Sequence, residues 1–344
     1  MKIRAVSLAI FVAAISACGS SGPSSLTLVT YSSFPVEGTP LNEAIDAFEE
    51  QSGVSVEILV AGDTGTMVTK AVLTAGDPEG DVMWGIDSTM LGRAVDAEVF
   101  DPYRPAGLDA VRTGLVESVP GDLVTPVDFG DVCVNADREW FDNQGLAIPD
   151  SLDDLADPVY AGLLAVQDPS ASSPGLAFLL ATITRFADSW EDYWATLVAN
   201  DVLITSDWDS AYYGAFTRAG GDRPLVVSYG SSPPYEVLFG DDPDALSAPT
   251  SVIADTCYRQ IEYAGVLRGT SMLDEARLLV DFLISEDFQQ HVPLDLYVFP
   301  AIDIALDPVF VRHAVIPENP AAMDPAAIDA NRADWIERWT SVIG

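Results

Sequence analysis

Basic residues are scarce: 16 Lys and Arg stand against 53 Asp and Glu in 344 residues, a formal charge of −37. A nucleic-acid binder needs a basic footprint that displaces counterions, so that class is excluded. Charge attraction to an anionic membrane surface is disfavoured for the same reason. The acids read as the solubilising surface of an exported protein, and they are compatible with a cationic ligand. Histidine is scarcer still, with His291 and His313 as the two in the chain. A serine hydrolase usually needs a histidine base, yet neither histidine sits in a recognisable motif and no G-x-S-x-G occurs. No His/Cys cluster is spaced for zinc, and no P-loop or dinucleotide fingerprint appears, so neither a metal nor a cofactor is expected. Paired carboxylates of the glycosidase kind stay open in so acidic a chain, which leaves an exported hydrolase as a distant alternative.

Cysteine is the third scarcity, with three residues. The first, Cys18, ends "MKIRAVSLAIFVAAISAC". Lys2 and Arg4 precede an apolar run from Ala5 to Ile15, a signal peptide over residues 1–17 that is too short to span a membrane. Ile15-Ser16-Ala17-Cys18 resembles a bacterial lipobox, in which the cysteine thiol takes a diacylglyceryl group. "GSSGPSS" then reads as a flexible tether, so that residues 18–25 hold the protein outside the cytoplasm on a lipid anchor. Two cysteines are left, Cys133 and Cys257. In an oxidising compartment they read as a disulfide, with two buried apolar thiols as the alternative.

What the chain has in quantity is apolar residues, 49%, enough for a large core and two lobes. "LTLVTYSSF" and "VSVEILVAG" alternate as strands, and "TPLNEAIDAFEEQSG" puts Leu41, Ile45 and Phe48 on one helical face before Gly53. A helix from Met67 and the buried strand "GDVMWGID" follow, so the first part is α/β with a largely parallel sheet. Val124 to Val134 and "SVIADTCYRQIEYAGVL" are long and extended. They read as two crossings between lobes, residues 26–127 with 262–344 forming one and residues 128–261 the other. Further on, Ser271 and Asp274 look like a capping pair for a helix with Leu273, Ala276, Val280 and Leu283 on one face.

The stretch "VVSYGSSPPY", Val226 to Tyr235, ends a strand with serines set between two tyrosines. By itself it is a surface turn or a ligand cradle. It belongs to a set, with "TYSSF", "AGDTG", "DVMWGIDSTML", "PVDFGDVCVNAD", "QDPSASSPGLAFLL", "TSDWDSAYYGAF" and "FLISEDFQQHVPLDLYVFPA". In order and spacing the set resembles the thiamine-binding lipoproteins of ABC importers, over roughly residues 26–344. That resemblance implies a two-lobed type II periplasmic-binding clamshell. It also implies thiamine or a thiamine phosphate as ligand, and an ABC permease with its ATPase as partners. Carried over position by position, it places Thr64, Gly65, Ser172, Ser173, Trp208, Tyr229, Gly230, Ser231, Ser232, Tyr235 and Tyr297 at the ligand. The sequence departs from the family at Ser32, where relatives carry an acid, and at Gly38 and Tyr297, where they carry Trp. The acid that would face the ligand's thiazolium is therefore not identified by the motif. Other ligands on the same fold remain: a ferric ion on Tyr212 and Tyr213, or a polyamine held by acids and aromatics.

Overall fold

The computed structural model describes residues 25–117, 119 and 121–344. The proposed signal peptide and Cys18 lie outside the described residues. Among the described residues ten strands form one sheet: β1 (Ser25–Thr30), β2 (Ser55–Val60), β3 (Val82–Asp87), β4 (Phe100–Asp101), β5 (Thr125–Asp137), β6 (Leu164–Gln167), β7 (Leu203–Thr205), β8 (Leu225–Tyr229), β9 (Thr250–Leu267) and β10 (Phe299–Pro300). Their spatial order is β2-β1-β3-β9-β5-β8-β6-β7. At one end β1 runs parallel to β2 and β3; at the other β6 runs parallel to β7 and β8. The two extended crossings are β5 and β9, paired antiparallel from Thr125↔Ala264 to Asp137↔Thr250 at the centre of the sheet.

The local choices explain this layout. The helix Pro40–Ser52 starts on a capping box between Thr39 and Asn42 and stops at Gly53, whose φ of 73° is left-handed. All of β3 and all of β5 are buried, as central strands flanked on both sides must be. The expected cap of Ser271 with Asp274 does not form. Met272 precedes the helix Leu273–Leu283 without a side-chain cap, and its N–H donates to Thr270 Oγ1 at 3.0 Å. On that helix Ala276, Leu279, Val280 and Leu283 face the core.

Three devices hold the crossings together. Cys133 of β5 and Cys257 of β9 are joined as a disulfide. Buried Asp131 takes the Arg259 guanidinium bidentately, at 2.6 and 3.2 Å. Val134 N–H donates to Thr256 Oγ1 at 2.8 Å across the register shift in β9. The chain does not end on the side it returns to. Its last helix, Pro325–Ile343, packs on the helix Trp190–Ala199, with Trp194 and Trp339 edge to face at 5.5 Å and Arg338 on Glu191 at 2.6 Å.

Candidate ligand-binding site

A cavity of about 570 Å³ opens where the two ends of the sheet face each other. One wall comes from residues 208–239, the other from the ends of β1 and β2 and from residues 294–298, and β9 supplies the floor through Glu262. Eight aromatic residues line it: Tyr31, Trp208, Tyr212, Tyr213, Tyr229, Tyr235, Phe239 and Tyr297. Four acids line it too, Asp63, Asp209, Glu262 and Asp295, and no Lys or Arg does among the described residues.

Each ring has a structural reason for its place. Trp208 stacks on Tyr212 at 4.9 Å and 12°, and its Nε1–H donates to Ser228 Oγ at 3.1 Å. Ser228 shares a 2.8 Å bond with Ser232, whose Oγ accepts the Tyr229 N–H at 3.2 Å. Ser210–Ala215 winds as a π-helical turn, closed by Phe216 N–H on Ala211 O, and this widened turn brings Tyr212 and Tyr213 to the wall. Tyr212 is buried and donates to Glu236 at 2.7 Å. Tyr31 brings one ring edge against β3 because residue 85 is glycine. A Cβ there would stand 2.2 Å from the ring, and φ is +97° at the register shift between Trp84 and Ile86. Tyr297 is held differently, with a left-handed φ of 55° and its ring edge to face with Tyr235 at 5.3 Å. Such backbone is costly for a bulky residue and collects at binding sites.

Asp63 joins the two walls. It caps the helix Thr64–Leu73 by accepting the Thr64 N–H at 2.6 Å, and it accepts the Trp208 N–H from the facing wall at 3.3 Å. Burial pushes its carboxyl up to about 6, against those hydrogen bonds. Burial also raises Asp209, aided by Asp207, and Asp295, whose carboxylate accepts the Leu41 N–H at 2.7 Å. On the floor, burial pushes Glu262 and Asp128 well up, and the two face each other across β5 and β9.

Of the residues expected at the ligand, Thr64, Trp208, Tyr229, Ser232, Tyr235 and Tyr297 line the cavity. Gly65, Ser172, Ser173, Gly230 and Ser231 do not; they stand behind it. Gly65 is the close approach between the walls: its N–H donates to Ala171 O at 2.9 Å, and a Cβ would come within 2.3 Å of that oxygen. Ser172 is buried, its hydroxyl turned to the Asp63 carboxylate. Ser173 donates to Asp87 and accepts from Gln260 at 2.6 Å. Gly230 is fixed through its backbone, donating to Asp131 O and accepting from Val315 N, both at 2.8 Å. Ser231 is fully buried. Sequence reasoning missed Tyr31, the four acids, Phe239 and the orienting Ser228. Tyr31 had a signal, since an aromatic ended the first strand; the acids had none in a chain with 53 of them.

The family model of the bacterial extracellular solute-binding proteins matches residues 80–331. A thiamine-binding periplasmic protein of Salmonella typhimurium is 27% identical over 322 residues, covering 92% of this chain and 93% of its own. Among solved structures, a periplasmic thiamin-binding protein superposes with a TM-score of 0.82 at 25% identity, covering 93% of this chain and 96% of its own. Iron-bound HitA from Pseudomonas aeruginosa shares the fold, with a TM-score of 0.69 and 19% identity over 93% of this chain and 99% of its own.

Proposed function

Because this chain belongs to the bacterial extracellular solute-binding proteins, we propose that its cavity binds thiamine for delivery to the permease and ATPase of an ABC importer. The fold is the two-lobed type II periplasmic-binding clamshell. In this reading residues 26–127 with 262–344 form one lobe and residues 128–261 the other. They close on the ligand about β5 and β9, while the Pro325–Ile343 helix straps one lobe to the other. A lipid on Cys18 would keep the protein beside its permease.

The observation that carries the reading is the cavity's composition: eight aromatic side chains and four acids around 570 Å³. Thiamine is a flat aminopyrimidine joined to a flat, permanently cationic thiazolium. Flat rings take aromatic faces, and a desolvated cation over Trp or Tyr gains about 0.5–2 kcal/mol. Asp63, Asp209 and Asp295 add the negative field that Ser32 does not supply. Thiamine fits such a lining better than its phosphates, whose charge would meet acids. A phosphate would need N–H donors from the start of the Ser173–Phe186 helix, yet the residue there that lines the cavity is Pro174, which has none.

The same geometry disfavours iron. The Tyr212 hydroxyl is taken by Glu236, the Tyr212 and Tyr213 rings stand at 89° to each other, and no cluster of His, Cys, Asp and Glu could hold a metal among the described residues. Calorimetric titration of the soluble domain with thiamine, thiamine phosphates, spermidine and ferric citrate tests the reading. Thiamine should bind tightest and quench Trp fluorescence without colour. A coloured ferric complex, or tighter spermidine binding with no response to thiamine, overturns it.

A further inference from the structure

The floor of the cavity carries a feature that packing does not explain. Asp128 of β5 and Glu262 of β9 are directly opposed in the antiparallel register, so their side chains project to the same side. Asp128 is fully buried, and Glu262, 6% exposed, opens onto the cavity. Among the described residues no N–H or O–H donor outside the pair reaches either Asp128 oxygen or Glu262 Oε2. Buried polar atoms are almost always satisfied, and a buried acid pair is a costly substitute for two apolar side chains. Burial and the facing charge disfavour joint ionisation of the two carboxyls, so the pair retains a proton. Asp87 of β3 adds a third negative group behind them, already engaged by Thr89 and Ser173. Tyr31 and Tyr229 stand at the sides, the Tyr31 hydroxyl against Glu262. With that proton held between the pair, Glu262 turns a hydrogen-bond acceptor into the cavity between two rings.

We propose that Glu262, backed by Asp128, receives the exocyclic amino group of the ligand's pyrimidine, so that the aminopyrimidine enters first and the thiazolium stays toward the mouth. This rests on the thiamine reading. A thiazolium has charge but no N–H, so a deep acceptor gives it no hydrogen bond. Its charge is served by Asp63, Asp209 and Asp295 on the walls. The amino group has N–H bonds to give, and an aromatic ring behind it that fits between Tyr31 and Tyr229.

The test uses thiamine and oxythiamine, in which an oxo group replaces the amino group and turns that donor into an acceptor. Calorimetry on the wild-type protein should give thiamine a preference of about 10- to 100-fold, the range for a hydrogen bond to a charged group. Glu262→Gln should weaken thiamine about 10-fold and bring the ratio toward one, because an amide can donate to the oxo group. Equal binding of both ligands by the wild type overturns the proposal, and so does a Glu262→Gln variant that weakens both in proportion. If Glu262→Gln does not fold, the wild-type ratio decides alone. A wild-type protein that binds no thiamine overturns the functional reading itself, a result separate from thiamine binding without discrimination.

Discussion

The wall built by residues 208–239 carries six rings, Trp208, Tyr212, Tyr213, Tyr229, Tyr235 and Phe239, while the facing wall carries two, Tyr31 and Tyr297. Five of the six lean on one another: Trp208 on Tyr212 at 4.9 Å, Tyr235 on Phe239 at 4.8 Å, Tyr213 on Tyr235 at 6.1 Å. Such a platform is ordered before a ligand arrives, which lowers the entropy cost of binding. The two rings opposite depend on the backbone, Tyr31 on a missing Cβ at Gly85 and Tyr297 on its own left-handed φ. One wall is thus redundant, and the other rests on single positions. The wall with few rings should be the fragile one.

The largest effect should come from Gly85→Ala. Its methyl group would overlap the Tyr31 ring, and the positive φ adds strain, together about 3 kcal/mol of stability. Thiamine affinity should fall with the displaced ring. Chemical denaturation and calorimetry measure both. Adding Tyr31→Ala should return part of the stability but none of the affinity. A Gly85→Ala variant as stable as the parent would end the contrast between the walls.

A smaller loss is expected on the redundant wall. Trp208→Ala should weaken thiamine by about 1–3 kcal/mol through lost stacking and cation–π attraction. Ser231→Ala, buried behind the same wall, should leave affinity nearly unchanged. Titration of the two variants sharpens the comparison. Equal losses would mean that the wall acts as one packed body and not through its exposed faces.

The smallest effect is the pH dependence of Asp63, which touches both walls. Its folded pKa is about 6 against an ordinary 3.8, so between those values the folded protein binds more protons than the unfolded one. The stability of the empty protein should therefore fall as pH rises from about 4 to about 6. Thiamine affinity should rise over the same interval, because the cation favours the ionised carboxyl. Asp63→Asn should flatten both trends. Melting temperature without ligand and titration with it, each against pH, check the opposite signs; parallel trends would remove Asp63 from ligand contact.

The sheet was legible because its signals are local. Alternation marked β1 and β2, an unbroken extended run marked β5, and Gly53 marked a helix end. Trp208 and Tyr235 could be placed at the cavity through the resemblance to the thiamine-binding family, which sets them at the ligand position by position. The serines could not be sorted the same way. Ser231 and Ser232 are neighbours in one turn, yet the first is buried and the second lines the cavity, a difference set by Ser228 and the Tyr229 amide. Nor could the acids be sorted, since what separates Asp63 and Glu262 from a solubilising carboxylate is burial by residues far away in sequence. Tyr31 owes its seat to Gly85, which no reading of the first strand contains.

The disulfide has a consequence for covalent topology. Cys133 and Cys257, 124 positions apart, make everything between them a closed ring that contains the six-ring wall. For a protein of an extracellular family, proteases are part of the surroundings. A single cut in an exposed loop such as residues 240–247 opens the ring without releasing either piece, because both stay tied at the crossings. A nicked molecule can still hold its strands in register. The bond thus lets the chain tolerate an isolated cleavage that would divide a linear chain in two.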